Sequence, residues 1–284
     1  MYLKVLVTGV KGQLGFDVMK ALNHRNIEAI GADIQQFDIT DYDQTRKFIK
    51  DLLPDAVIHC SAYTAVDKAE DEPEICYKVN AEGTKNIALV CKEIDAKMVY
   101  ISTDYVFPGI GEKEYNVDDQ TDPLGVYGKT KLQGEQFVKQ NLQKFFIVRI
   151  SWVFGKNGNN FVKTMLRLGK EKEELNVVID QIGSPTYTVD VARLLCDMIV
   201  TEKYGTYHAT NEGFCSWAEF AKEIFRQAGF STKVNYIMSA EYKTKAARPH
   251  NSRMTKDKLD ENGFERLSRW DNALKRYLVE LGEI

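Results

Sequence analysis

The stretch Leu3-Lys4-Val5-Leu6-Val7-Thr8-Gly9-Val10-Lys11-Gly12-Gln13-Leu14-Gly15 decides the fold. Leu3 to Thr8 is an apolar run of the length of a buried strand. It ends in a GxxGxxG turn, and Gln13 to Asn23 carries Leu14, Val18 and Leu22 at helical spacing. Glycines make such a turn tight and let backbone N–H groups approach a diphosphate at the helix N-terminus. A glycine motif alone is weak. Here a strand precedes it, a helix follows it, and Asp33 ends the next apolar run, Ile27 to Ala32. That is the context of a dinucleotide site, with Gly9, Lys11, Gly12, Gln13, Leu14 and Gly15 around the diphosphate and Asp33 toward the adenosine ribose. A carboxylate there repels a 2′-phosphate, so Asp33 favours NADH over NADPH, and Lys11 offsets part of that repulsion.

Working outward, short apolar runs keep alternating with helical patterns. Ala56 to Cys60, Lys97 to Ser102 and Phe145 to Ile150 read as strands; Tyr42 to Leu53, Pro73 to Ile94 and Gly128 to Gln140 read as helices. Thr40 or Asp41 is the N-cap of the first of these. Alternation of this kind gives an α/β fold, a Rossmann-like doubly wound parallel sheet. Its strands are buried on both faces, which explains why VLVTG, AVIHCSA and MVYIS are nearly continuous apolar runs. After Ser151 the pattern loosens. Helices are expected over Phe161 to Gly169, Val189 to Val200 and Trp217 to Ala228, with short strands at Val177 to Ile179 and Thr206 to His208. Residues 1–152 are expected to form a dinucleotide-binding domain and 153–284 mainly a smaller C-terminal substrate lobe. Some elements from about 177–210 should rejoin the main sheet.

The 284 residues, 44% hydrophobic and 28% charged, suit a globular chain with a sizeable core. A net charge of −3 gives the whole surface no attraction for nucleic acid or an anionic membrane. Five cysteines without a CxxC pair argue against a disulfide framework or zinc ribbon. With no signal-peptide pattern at the start and no long apolar run, a cytoplasmic location is expected. His59, in a strand, reads as a packed core residue, and His24 and His208 lack paired ligand spacing, so no metal is expected. Asp67, Glu70, Asp71 and Glu72 read as a solvated helix start.

Tyr127-Gly128-Lys129-Thr130-Lys131 places a phenol and an ammonium one turn apart on one helix face. Ser102-Thr103-Asp104 ends the fourth strand, at the sheet edge where ligand crevices form. Ser61-Ala62-Tyr63 ends the third strand and should line the ribose side. Hydride delivery to a carbonyl leaves charge on oxygen that must be protonated. A free tyrosine, with a pKa of about 10, is a reluctant acid–base group. A nearby ammonium lowers that value. Tyr127 is therefore assigned as the general acid, Lys131 as the group that tunes it and holds the nicotinamide ribose, and Thr103 as the donor to the substrate oxygen.

These blocks resemble the extended short-chain dehydrogenase/reductases and, more narrowly, the dTDP-4-dehydrorhamnose reductase family. The resemblance rests on VTGVKGQLG, SAYTAVDKAE, STDYVFPG, VYGKTKLQGE, RISWVFG, NNFVKTMLRL, DQIGSPTY and ARPHNSRM, in family order over nearly the whole chain. It implies reduction of the C4 keto group of a dTDP-linked 6-deoxy sugar, in the service of cell-surface polysaccharide, with a homodimer as the candidate assembly. It also implies that Asp38 and Ile39 contact the adenine. Thr64, Val66, Asp104, Tyr105 and Trp152 would border the sugar, and Arg248 would meet its diphosphate, where a guanidinium matches phosphate oxygens in a bidentate way. Dehydratases of this superfamily carry a glutamate where Tyr105 stands, so elimination chemistry is disfavoured. Reduction or epimerisation of another nucleotide sugar, or a non-catalytic NAD(P)-binding regulatory subunit, remain the competing readings.

Overall fold

In the computed structural model the described residues are 3–284. β1 (Lys4–Thr8) pairs in parallel with β2 (Glu28–Ala32) on one side and β3 (Ala56–His59) on the other. β4 (Lys97–Thr103) and β5 (Phe145–Ile150) extend the sheet beyond β3, again in parallel. The crossovers hold α1 (Gln13–His24), α2 (Tyr42–Leu52), α3 (Val66–Ala69), α4 (Pro73–Tyr77), α5 (Gly83–Glu93) and α6 (Val126–Asn141). The single long helix expected from Pro73 to Ile94 is α4 and α5 joined through a π-helical turn at Lys78–Glu82. α6 begins two residues earlier than its apolar pattern, which puts Tyr127 in its first turn.

The second half contains β6 (Val153–Phe154), α7 (Phe161–Glu171), β7 (Glu174–Val178), β8 (Ile182–Gly183), β9 (Thr186–Tyr187) and α8 (Thr188–Ile199). β10 (Gly205–His208), β11 (Cys215–Ser216), α9 (Trp217–Ala228), β12 (Lys233–Ile237), α10 (Asp257–Glu261) and α11 (Trp270–Leu281) follow. β10 pairs in parallel with β5, His208 opposite Arg149, and completes a six-stranded sheet of order β2-β1-β3-β4-β5-β10. The strand around Val177 does not join that sheet; β7 pairs with β12 in a separate ribbon.

Alternation along β1 explains its composition. Val5 and Val7 face one side and Leu6 the other, and all three are fully buried. On the first side Leu14, Val18 and Leu22 of α1 meet Val191, Leu195 and Met198 of α8 over the sheet. On the second, Ile49, Ile87 and Val138 from α2, α5 and α6 cover Leu6, Val57 and Met98. A third core joins Phe154, Leu166, Phe220, Phe225, Leu274 and Tyr277 in the second half. Two caps fix helix starts. Asp41 accepts from the Gln44 N–H at the head of α2, and Ser216 and Glu219 form a reciprocal capping box on α9. His59 is a buried core residue, its ring between the hydroxyls of Thr8 and Thr84 at 2.8 and 3.2 Å, and burial pushes it down to about 3. No helix among the described residues is long and apolar enough to cross a membrane.

Candidate active site

The carboxyl ends of β1 to β5 open onto a cleft of about 650 Å³. At one end lies the glycine turn. Gly9 has φ +70°, and a Cβ there would stand 2.7 Å from the Ser61 nitrogen. A Cβ on Gly15 would stand 2.4 Å from the Gly9 carbonyl oxygen. No larger residue fits either position. Gly12 heads α1 without a capping side chain, so the first N–H groups of that helix are free to meet an anion. A dinucleotide diphosphate suits this cradle. Asp33, at the end of β2, receives the Lys11 ammonium at 2.8 Å and the Gln35 N–H at 2.8 Å. Those two bonds, Lys11 first, hold its carboxyl below the usual carboxylate range. Asp38, Ile39, Ser61 and Ala62 also line the cleft.

At the other end Thr103, Tyr127 and Lys131 line the same space. β4 delivers Thr103 and α6 delivers the other two from successive turns. Burial pushes the Tyr127 phenol up, opposed by the adjacent Thr103 hydroxyl. Lys131 is buried and lies over the Tyr100 ring, 4.1 Å from its centroid. Burial pushes it down to about 7. A neighbouring ammonium is expected to lower the Tyr127 phenol. Here no hydrogen bond joins the two, and desolvation governs both groups in opposite directions. Thr103 Oγ1 donates to Asp104 Oδ1 at 3.0 Å and accepts from the Tyr105 N–H at 3.2 Å. Asp104 is buried with its Oδ2 unpartnered, Ser252 standing near it without hydrogen-bond geometry, and burial raises the carboxyl to about 6. Tyr105 meets Tyr127 edge to face at 5.5 Å, and burial pushes it up to about 12.

Thr64, Val66, Asp104, Tyr105 and Trp152 line the cleft as well. Trp152 has φ +48°, unusual for a bulky residue. Its indole is clamped by a stack on Trp217 at 3.6 Å and by Gly183, where a Cβ would lie 2.7 Å from the ring. Three expected residues do not line the cleft but stand at its margin. Lys11 turns to Asp33. Tyr63 turns out of the cleft to donate to Glu72 Oε2 at 2.7 Å, while Asn80 pairs with its backbone N–H and carbonyl. Arg248 is tied to Asp67 at 2.7 Å. The acidic run does sit at the start of α3, with Asp67 and Asp71 half exposed, but its members are paired as well as solvated. Asp67 also accepts from the Ala246 N–H, Asp71 pairs with Lys245, and Glu70 Oε1 accepts from the Val126 N–H at 2.9 Å. Lys256 is buried over the Phe214 ring.

A family model described as the RmlD substrate binding domain matches residues 3–282. The chain belongs to that family. Over 99% of its length it is similar to the whole of a solved dTDP-4-dehydrorhamnose reductase from Clostridium acetobutylicum, at 44% identity and a TM-score of 0.97. It is equally similar to the whole of a Bacillus anthracis dTDP-4-dehydrorhamnose reductase solved in complex with NADP, at 45% identity, 99% coverage and a TM-score of 0.96. The spore coat polysaccharide biosynthesis protein SpsK of Bacillus subtilis is 40% identical over 98% of this chain and 97% of its own.

In this RmlD-family chain several site features carry little local sequence signal. Gly158 and Asn159 line the cleft from the loop between β6 and α7. That loop is bound to the glycine turn: Asn157 Nδ2 donates to the Lys11 carbonyl at 2.6 Å and Asn160 Nδ2 to Gln13 Oε1 at 2.9 Å. The run Gly155-Lys156-Asn157-Gly158-Asn159-Asn160 signals a turn, but nothing local says what it crosses. Cys60 also lines the cleft, and burial pushes its thiol up to about 12, so it stays a neutral wall. Glu70 is the second acid of an exposed-looking run, and its partner, the Val126 N–H, is remote in sequence.

Proposed function

We propose that this RmlD-family chain is an NAD(P)H-dependent oxidoreductase of the cytoplasm that reduces the C4 keto group of dTDP-4-dehydro-6-deoxy-L-mannose (dTDP-4-dehydrorhamnose) to give dTDP-L-rhamnose. One observation carries the reading: the glycine cradle with Asp33 and the trio Thr103, Tyr127 and Lys131 border one cleft. The reductase names of the two solved relatives, one of them holding NADP, support it.

The bound reduced dinucleotide supplies a hydride to the carbonyl carbon. Gly9, Gly12 and Gly15 admit its diphosphate to the start of α1, and Asp38 and Ile39 border the adenine. Tyr127 gives its phenolic proton to the substrate oxygen as charge develops there. Burial keeps that proton in place beforehand, because the raised phenol is neutral. Lys131 holds the nicotinamide ribose and stabilises the phenolate left on Tyr127. Thr103 turns its hydroxyl from Asp104 to the substrate oxygen. Thr64, Val66, Tyr105 and Trp152 border the sugar. Arg248 exchanges the Asp67 carboxylate for the substrate diphosphate, a trade of one oxyanion for another. Asp33 favours NADH, and the Lys11 ammonium beside it moderates that preference.

The test is nicotinamide oxidation followed by absorbance with 4-keto sugars linked to dTDP, UDP and GDP. Turnover with the dTDP sugar, giving dTDP-L-rhamnose, is expected. Absence of oxidation with every sugar, alongside normal dinucleotide binding, would leave only a nucleotide-holding protein.

A further inference from the structure

Glu135 follows Lys131 on α6 by one turn, as Lys131 follows Tyr127, so the three share one stripe of the helix. The glutamate is 1% exposed. Its Oε1 accepts from Ser102 Oγ at 2.6 Å and from Arg149 Nε at 2.9 Å, and its Oε2 accepts from Arg149 Nη2 at 2.8 Å. Arg149, on β5, is as buried as its partner. Its Nη1 donates to the Val117 carbonyl at 3.0 Å, and its guanidinium lies over the Phe107 ring at 4.9 Å. Ser102 directly precedes Thr103 on β4. Two strands that border the active cleft therefore hold one carboxylate still beneath the helix that carries Tyr127.

Stability does not explain this arrangement. A buried ion pair costs desolvation that its attraction offsets only in part, and apolar side chains of similar volume serve a core as well or better. Position does explain it. Lys131 is the next charged group along the stripe, fully enclosed, with no carboxylate within ion-pair distance among the described residues. An enclosed ammonium with no counter-charge loses its proton.

We propose that Glu135 is a positioning residue of the reaction: locked by Ser102 and Arg149, it supplies the negative charge that keeps Lys131 an ammonium beneath Tyr127. The proposal rests on the roles given above to Tyr127 and Lys131. The groups facing Lys131 are Glu135, the thiols of Cys60 and Cys76, the Tyr100 ring and His59. Of these Glu135 is the foremost influence holding the lysine up against burial, ahead of Cys60 and Cys76. Glu135 itself is faced by Arg149, by Ser102 and, at 3.9 Å, by Lys139. His208 approaches the far side of Arg149, its Nε2 3.5 Å from Nη1, and is held neutral by burial.

Glu135→Gln keeps the shape and removes the charge. With saturating dTDP-4-keto sugar and dinucleotide, the alkaline limb of kcat should move to lower pH by about one unit. Turnover should stay near normal on the acidic side, with about tenfold less on the alkaline side, and KM for the sugar should change little. In the unliganded protein, NMR of the Lys131 side chain should show the ammonium titrating lower by the same amount. A uniform loss of kcat, with the limb and the Lys131 titration unmoved, would reduce Glu135 to a structural part and overturn the proposal. Should the single variant not fold, Glu135→Gln with Arg149→Met removes both charges, and a shift in the same direction but smaller is expected of it, because the Arg149 cation leaves with the carboxylate. The reading of the site fails separately. If Tyr127→Phe turns over normally, that reading falls; if it is inactive while the Glu135→Gln profile stays put, only the role of Glu135 falls.

Discussion

Asp104, buried in the wall of the cleft, keeps one carboxylate oxygen on the Thr103 hydroxyl and the other on nothing. Its carboxyl titrates near 6 in the folded chain and near 4 when unfolded, so the native state binds the proton more tightly. The stability this gives is complete below about 4 and is lost as pH climbs through about 6. Asp104→Asn has no such loss. Its melting temperature should exceed that of the wild type at about pH 8 and match it at about pH 4, a difference on the order of 2–3 kcal/mol between the limits. Equal melting curves at both would mean the second oxygen finds a partner. Tyr127→Phe, which deletes the proposed acid, should lower kcat by at least about 10²-fold with little change in dinucleotide Kd. Asp33→Ala should weaken NADH and strengthen NADPH; equal changes in the two Kd values would remove Asp33 from the ribose. The Tyr–Lys pair was legible because helical spacing alone fixes it. Tyr63 and Arg248 were not, since what decides where those side chains go is Glu72 and Asp67, whose pull appears only once the chain is folded.

α6 owes its start to another part of the chain. Its N-cap is Gly125, which offers no side chain, and the Val126 N–H instead reaches Glu70 Oε1. A Cβ at position 125 would stand 2.6 Å from that oxygen, so the glycine and the carboxylate are matched. Because α6 carries Tyr127 and Lys131, Glu70→Ala should cost roughly 1–2 kcal/mol and loosen the first turn on which the phenol sits. The expected result is a lower melting temperature with kcat reduced more than dinucleotide affinity. As a control, Asp41→Ala unties α2, far from the trio, and should cost about 1 kcal/mol with kcat unaltered. Apolar spacing located these helices well. It could not disclose the π turn at Lys78–Glu82, because one extra residue in a turn leaves the flanking pattern intact. That turn seats Asn80, which pins the backbone of Tyr63 and bonds Thr130 on α6.

At the scale of the whole molecule the alternation of strands and helices announced the parallel sheet, but its outer edge came from beyond the point where the pattern loosens. β10 seals β5, and α8 covers Leu14, Val18 and Leu22 of α1. Such a partner is chosen by shape and burial across some 170 residues, which no local period records. A chain cut after residue 152 should therefore lose cooperative unfolding and dinucleotide binding together. A sharp thermal transition in that fragment would show the first half to be self-sufficient. The loop that crosses the glycine turn is itself held from far downstream: Tyr277, on α11, donates to the Gly155 carbonyl at 2.7 Å and accepts from Asn160 Nδ2 at 2.9 Å. On the ribosome the glycine turn emerges early and its clasp late. A nascent chain stalled before Trp270 would display the cradle without its closing hand, and coenzyme capture would wait for the translation of α11.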